Sequence, residues 1–307
     1  MRNAFADEMT KLAQQDDRVV MLSGDIGNKL FDKFKEIDER RFYNCGIAEA
    51  NMMGVAAGMA LSGLRPVVYT ITPFTTTRCF EQIRVDACYH KAPVIIVGTG
   101  SGLSYAELGP THHSLEDMAI LRTLPGMRVM APCDTAELRL ALRAALHEDG
   151  PVYIRIGKKG EPAIHHQLSA LQIGKAIVVR EGTEVTLLSA GTIMPEVLKA
   201  ADLLKEQGVS AEVVSFHTVK PLDVDYLDAA SKRFKLFATI EEHGLIGGLG
   251  SAVAEWRAAA DVDTPLVSFG TPDEFMHEVG TQEYARAKYG LTPENISARI
   301  LTALARA

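Results

Sequence analysis

Glu49 is the residue of this 307-residue chain whose surroundings most clearly suggest chemistry. It is the one carboxylate in the segment Cys45 to Ala60 (CGIAEANMMGVAAGMA), which is otherwise small or apolar and has the pattern of a helix. A carboxylate that opens a helix can simply complement the positive end of the helix dipole. It can also lie in a desolvated setting with a raised pKa, which suits a strong hydrogen bond or proton transfer. The residues alone leave both interpretations open.

His112 and Phe74 are two further candidates, because both fall in predicted loops. His112 belongs to GPTHH, after the strand predicted at Pro93 to Val97, and parallel sheets present ligand sites at that end of their strands. An exposed histidine pair without a role is the alternative, and zinc is not predicted because His112 and His113 are adjacent and lack a spaced third donor. Phe74 lies among polar turn residues in ITPFTTT, where a core position is the default interpretation.

Composition narrows the class of protein. Hydrophobic residues make up 47% and charged residues 23% of the chain, and the net charge of −7 offers no basic face for nucleic acid. No apolar run approaches the ~18 residues that span a bilayer, and no apolar leader is evident, so a cytoplasmic protein is expected. The four cysteines lack a C-x-x-C pair and are predicted to be buried thiols without chemistry.

Short apolar runs alternate with segments of helical period, which indicates an α/β fold with two parallel sheets, each covered by helices on both faces. We predict a first domain at 1–157, a polar linker at 158–172 and a second domain at 173–307. The predicted strands are Val19 to Ser23, Pro66 to Ile71, Pro93 to Val97, Met127 to Ala131, Pro151 to Ile156, Glu184 to Ala190, Ala211 to Phe216, Lys235 to Ile240 and Pro265 to Phe269.

Two glycine-rich stretches, GTGSG from Gly98 and GLIGGLG from Gly244, invite a nucleotide-binding interpretation. Neither spells G-x-G-x-x-G, and the chain has no P-loop motif. A dehydrogenase or an NTPase is therefore a weak alternative.

Taken in order, six segments resemble the C-terminal half of transketolase, including the small subunit found where that enzyme is encoded as two chains. They are SGDIGN from Ser23, GIAE from Gly46, F…RCFEQIR from Phe74, GPTH from Gly109, VKPLD from Val219 and EEHGLIGGLG from Glu241. The resemblance implies a pyrimidine-binding domain for thiamine diphosphate, followed by a transketolase C-terminal domain.

The resemblance also implies roles for single residues. Glu49 would hydrogen-bond N1′ of the cofactor's aminopyrimidine, Phe74 would stack on that ring, and His112 would act on a substrate oxygen. Asp25 and Ile47 would line the subunit-interface wall of the cofactor pocket.

The diphosphate-binding signature of the family, G-D-G…N, is absent from this sequence. The resemblance therefore implies an N-terminal partner subunit that holds the diphosphate and its Mg²⁺ or Ca²⁺, in an α2β2-like assembly, with no metal in this chain.

Three positions depart from ordinary transketolases at the substrate end. Leu108 stands where the family has an acidic residue, Ala131 where it has an arginine, and Gly100 where it has a histidine. We therefore expect a substrate other than the ordinary pentose phosphates, with Leu108, His112 and Arg155 near it. Lys158 and Lys159, or the partner, could supply phosphate contacts instead.

Two related enzymes and one non-enzyme remain as alternatives. A 2-oxo-acid dehydrogenase β subunit would pass an acyl group to a lipoyl domain. A deoxyxylulose-phosphate synthase is less well matched, because Ser101 falls where those enzymes have an arginine, although Arg155 matches their strand arginine. A scaffold relic of a duplicated subunit would not need Glu49, Phe74 and His112.

Overall fold

The computed structural model describes residues 1–306, with the side chain of Asn28 left out. Its strands, in chain order, are β1 (Val19–Ser23), β2 (Phe42–Asn44), β3 (Arg65–Ile71), β4 (Ile95–Thr99), β5 (Arg128–Met130), β6 (Val152–Ile156), β7 (Ile177–Arg180), β8 (Val185–Ala190), β9 (Ala211–Ser215), β10 (Thr218–Lys220), β11 (Leu236–Gly244) and β12 (Leu266–Thr271). The α-helices are α1 (Arg2–Gln15), α2 (Asp32–Lys35), α3 (Glu49–Leu61), α4 (Thr72–Thr75), α5 (Phe80–Gln82), α6 (Asp117–Arg122), α7 (Thr135–Ala145), α8 (Met194–Glu206), α9 (Val224–Ser231), α10 (Leu249–Ala259), α11 (Gln282–Lys288) and α12 (Pro293–Leu304). Among these residues, no helix is both long and apolar enough to cross a membrane.

The strands form two sheets. The first has the order β10-β5-β6-β4-β3-β1-β2 and is parallel except for β10. The second has the order β12-β11-β8-β9-β7 and is parallel except for β7. Each strand predicted from the sequence is present, and β1 has the predicted bounds.

Both faces of the first sheet are buried, which confirms the predicted α/β architecture. Val20 and Leu22 of β1 point into one hydrophobic cluster, whereas Val19 and Met21 point into another on the opposite face. Strands buried on both sides read as continuous apolar runs, which is why VVMLS is recognisable. The first cluster continues into the second sheet through residues such as Phe237, so the two halves share part of one core.

Three short strands were not predicted. β2 and β10 have three residues each, and β7 is an antiparallel edge strand that begins shortly after the predicted linker. β10 follows β9 of the second sheet in the chain but pairs antiparallel with β5 of the first sheet. A hydrogen bond of 2.8 Å from the Ala131 N–H to the His217 carbonyl extends this connection.

Candidate active site

Glu49 is the first residue of α3 and is 1% exposed. Its carboxylate has a charged partner: Nη1 of Arg78 donates to both Oε1 and Oε2 of Glu49, at 3.0 Å each. The charge of the buried carboxylate is therefore balanced by a cation from a separate turn, 29 residues later in the chain.

Arg78 also contacts Phe74. Its guanidinium carbon lies 4.0 Å from the centre of the Phe74 ring, in a cation–π arrangement. Phe74 is half-buried in the short helix α4, and the Arg78 side chain is 49% exposed in the following 3₁₀ turn. Sequence reasoning gave Arg78 no role. The available signal was a cation four residues after an aromatic residue in a polar loop.

His112 completes this cluster from a different loop. Its ring is 5.4 Å from the ring of Phe74 and 5.9 Å from that of Tyr105, edge to face in both cases. Its Nδ1 lies 2.9 Å from the Thr111 hydroxyl oxygen, so Nε2 is the ring nitrogen available to a substrate. Burial, and then the charge of Arg78, lower the pKa of His112. The imidazole is therefore mostly neutral near neutral pH.

Tyr105 fills the space beside Gly100, where ordinary transketolases have a histidine. Gly100 has φ +82°, and a Cβ added there would lie 2.0 Å from the Tyr105 ring. The Nζ of Lys158 lies 4.6 Å from the centre of the same ring, and Lys158 also pairs with Glu107. A phenol ring with a cation above it therefore stands next to His112.

Asp25, Ile47 and Leu108 are exposed. Asp25 has φ +56° and accepts a hydrogen bond of 2.9 Å from the Asn44 amide, just after β1. Ile47 is 83% exposed immediately before α3, and Leu108 is 48% exposed in the loop that leads to His112.

Arg155, by contrast, is buried, with 4% of its surface exposed. Its Nη2 donates to the carbonyl oxygens of Ser114, at 3.1 Å, and Glu242, at 3.2 Å, and its Nε lies 3.3 Å from Asp117. The guanidinium of Arg155 thus bonds to other groups of this chain, and its contact with a substrate stays a prediction.

Glu242 fixes the glycine loop that precedes Tyr105. Its carboxylate accepts a 2.6 Å hydrogen bond from the Leu103 N–H and pairs with Arg286 at 2.7 Å. Gly102 approaches so closely that an added Cβ would lie 2.7 Å from the Glu242 carbonyl oxygen. The second domain therefore holds the loop that carries part of the site.

Three of the four cysteines are buried as predicted, namely Cys79, Cys88 and Cys133, whereas Cys45 is partly exposed. The prediction was wrong for Cys45 because its segment precedes α3 and lies near the surface.

Comparison with known proteins identifies this arrangement. Residues 1–161 match the transketolase pyrimidine-binding domain, and residues 174–296 match the transketolase C-terminal domain. The chain belongs to the transketolase family. The predicted boundaries at 157 and 172 remain a proposal beside these matched ranges.

Two of the similar proteins are named as transketolase subunits. The 6-deoxy-6-sulfo-D-fructose transketolase subunit of Clostridium sp. (strain MSTE9) is 38% identical over 96% of this chain and 92% of its own length. A subunit of the apulose-4-phosphate transketolase of Phocaeicola vulgatus is 35% identical, over 96% and 94%. The 1-deoxy-D-xylulose-5-phosphate synthase of a Synechococcus strain is 39% identical over 96% of this chain, which spans only 46% of that longer protein.

A solved structure agrees in fold and in extent. It is described as a split-gene transketolase in an inactive β4 tetramer, and it is 35% identical with a TM-score of 0.90 over 99% of this chain and 97% of that one. These comparisons confirm the resemblance: this transketolase chain is one subunit of a two-subunit transferase.

Proposed function

We propose that this subunit supplies the pyrimidine side of a thiamine-diphosphate site. With its partner, it would transfer a two-carbon ketol or acyl unit from a ketose or 2-oxo acid to an aldehyde or ketone. The observation that carries the proposal is the convergence of Glu49, Phe74 and His112 around Arg78. Transketolases as a family use thiamine diphosphate.

The residues present fit the aminopyrimidine end of that cofactor. The guanidinium of Arg78 is a planar, hydrogen-bonding group that already bonds to Glu49 and lies over Phe74. A planar heterocycle with a hydrogen-bonding nitrogen needs the same two kinds of contact. Arg78 therefore occupies the contacts that the ring would make, and it must move aside when the ring enters.

Each residue then has a defined task. Glu49 would hold the ring nitrogen N1′, and Phe74 would fix the ring plane by stacking. His112, which is neutral and has Nε2 available, would hold or transfer a proton at a substrate oxygen. Asp25 and Ile47 would form the pocket wall that meets the other subunit. When bound, thiamine diphosphate supplies the nucleophilic carbon that makes donor cleavage possible.

The partner subunit would hold the diphosphate and its Mg²⁺ or Ca²⁺. This chain lacks the G-D-G…N signature, and the β-only tetramer among its solved relatives is described as inactive. Three exposed apolar residues, Ile47 just before α3, Val55 within α3 and Tyr89 later in the same domain, support burial against other subunits in an α2β2-like assembly. The buried free thiols suit the reducing cytoplasm.

The residues predicted to lie near the substrate support a substrate other than the ordinary pentose phosphates. The Leu108 side chain offers no hydrogen bond, Ala131 is fully buried, and Tyr105 fills the space beside Gly100. Lys158, which lies above Tyr105 and is paired with Glu107, would supply a positive charge for an anionic substrate group. Two relatives are named for sugars that carry a sulfonate or a phosphate.

Donor assays with the reconstituted pair would test this preference. The assays should compare three donors: xylulose 5-phosphate, fructose 6-phosphate and 6-deoxy-6-sulfofructose. Pyruvate as donor tests the synthase alternative, and a lipoyl domain as acceptor tests the dehydrogenase alternative. Ordinary transketolase efficiency on xylulose 5-phosphate with ribose 5-phosphate would refute the substrate part of the proposal.

The central test is Glu49→Gln in the reconstituted pair. Loss of the carboxylate should lower kcat by ~10²- to 10⁴-fold, the range for a positioned proton-transfer group, and should weaken thiamine diphosphate binding in calorimetry. Glu81→Gln is the matched control, because Glu81 is an exposed carboxylate of a nearby segment paired with Arg84. Unchanged activity of the Glu49→Gln and Glu49→Ala variants would refute the assignment and favour a scaffold role.

A further inference from the structure

Tyr105 lies next to His112, but the proposed reaction assigns its hydroxyl no task. The two ring centres are 5.9 Å apart, and the ring planes meet at 67°. Tyr105 is 7% exposed, so its ring is largely enclosed by the protein. Its hydroxyl makes no hydrogen bond to another residue within 1–306, yet it is not fully sealed from solvent. A phenol O–H that can both donate and accept is therefore available to a bound molecule.

The main chain holds Tyr105 and His112 on one closed loop. The N–H of Ser114 donates to the carbonyl oxygen of Gly102 at 3.0 Å, which joins the two ends of the loop. Within the loop, the Leu108 N–H donates to the carbonyl oxygen of Tyr105 at 2.8 Å and closes a short turn. Side chains carried by such a fixed turn are in position before a ligand arrives.

Gly100 makes the room that the Tyr105 ring occupies. A Cβ added at Gly100 would lie 2.0 Å from Cε2 and 2.2 Å from Cδ2 of that ring. The main chain there is fixed, because the N–H groups of Gly100 and Ser101 both donate to the Ile156 carbonyl oxygen, at 2.9 and 3.0 Å. Any side chain at position 100 would therefore push the ring away from its place beside His112.

His112 separates Tyr105 from the proposed contacts with the cofactor. The His112 ring contacts those of Phe74 and Tyr105, whereas Phe74 and Tyr105 make no ring contact with each other within residues 1–306. Phe74 would stack on the cofactor ring, and the reacting carbon atoms of a donor must lie near that cofactor. A donor chain that extends from there past His112 reaches Tyr105 with its more distant carbon atoms.

We propose that Tyr105 determines specificity by contacting the end of a ketose donor that is not transferred. This inference rests on the proposed function. The ring limits the length of the donor on the Gly100 side, and the hydroxyl hydrogen-bonds an oxygen at the distal end of the chain. That oxygen belongs to a hydroxyl or to an anionic head group, since Nζ of Lys158 lies 4.6 Å from the centre of the Tyr105 ring.

A donor series with the reconstituted pair tests the hydroxyl of Tyr105. Hydroxypyruvate has no carbon chain beyond the bond that is cleaved, because it releases only carbon dioxide. Tyr105→Phe should leave its kcat/KM unchanged and should lower that of ketose donors roughly 2- to 10-fold, mainly through KM, as expected for one lost neutral hydrogen bond. Tyr284→Phe is the matched control, because it removes a hydroxyl from a 47% exposed tyrosine of the second domain.

The ketoses are xylulose 5-phosphate, fructose 6-phosphate and 6-deoxy-6-sulfofructose, and any that is cleaved too slowly is measured as a competitive inhibitor against hydroxypyruvate. Tyr105→Ala opens the space beside Gly100, so it should raise the kcat/KM of the six-carbon donors relative to xylulose 5-phosphate. Gly100→Ala displaces the same ring and should change this ratio in the same direction. In the Tyr105→Ala background it should add nothing, because the two substitutions act on one contact.

Equal changes for hydroxypyruvate and the ketoses would overturn the proposal, and so would no change for any ketose. Additive effects of Gly100→Ala and Tyr105→Ala on the donor ratio would also overturn it. Calorimetric titration with thiamine diphosphate keeps the two proposals apart: Tyr105→Phe should leave the Kd of the cofactor unchanged, whereas Glu49→Gln should weaken it. A wild-type pair that is inactive with every donor would refute the proposed function itself.

Discussion

Removing the Arg78 side chain should tighten thiamine diphosphate binding by the assembled enzyme. In the free subunit, Arg78 makes a charge-assisted hydrogen bond to Glu49 and a cation–π contact with Phe74. Bonds of the first kind contribute roughly 1.5 to 3 kcal/mol, and exposed contacts of the second kind about 0.5 to 1 kcal/mol. The cofactor ring must displace both.

Solvent reduces the free-energy cost of displacing Arg78, because its side chain is 49% exposed and water replaces part of its contacts with Glu49 and Phe74. We therefore expect a net cost of about 1 to 2 kcal/mol. At 1.4 kcal/mol for each factor of ten, Arg78→Ala should lower the Kd about 5- to 30-fold.

Calorimetric titration of the cofactor-free pair with thiamine diphosphate and Mg²⁺ measures this Kd directly. Arg84→Ala is the matched control: its side chain is 55% exposed, it lies in the same region of the chain, and it pairs with exposed Glu81. The control should leave the Kd unchanged. Equal or weaker binding by Arg78→Ala would refute the reasoning and would mean that Arg78 supports the bound ring rather than competing with it.

Two further predictions concern the surroundings of the site. Arg286→Ala should lower the free energy of unfolding by about 3 kcal/mol, because it leaves the buried Glu242 carboxylate without its cation. Thermal unfolding measures this loss, and Lys288→Ala, which removes a more exposed ion pair, is the control. Equal losses of stability in the two variants would contradict the prediction. Burial, and then the charge of Arg78, should hold the pKa of His112 below the usual histidine value of 6.5, which NMR titration measures. Arg78→Ala should raise this pKa, because it removes a positive charge that disfavours the imidazolium. An unchanged pKa in that variant would contradict the contribution of Arg78.

Much of the fold could be predicted from the sequence, because strands buried on both faces produce unmistakable apolar runs such as VVMLS at β1. β2 and β10 could not, because three residues carry almost no periodic pattern and the pairing that stabilises them comes from distant parts of the chain. The same argument explains why β10 was not assigned to the first sheet.

For the site, ordered motifs pointed to Glu49, Phe74 and His112, and the structure brings them together. The role of Arg78 could not be predicted, because it depends on how a turn is oriented toward a helix that begins 29 residues earlier. Tyr105 was also missed: its ring can lie against Gly100 because glycine has no Cβ, and an added Cβ would lie 2.0 Å from that ring.

Because β10 crosses into the first sheet, we expect that neither domain folds properly as a separate polypeptide. Cutting the chain within the segment between β6 and β7 would leave the edge strand β5 of the N-terminal fragment with unpaired main-chain groups, a template for aggregation. The C-terminal fragment would carry an orphan strand with nothing to pair with. The two fragments should therefore be insoluble when each is expressed alone and should recover solubility only when they are co-expressed.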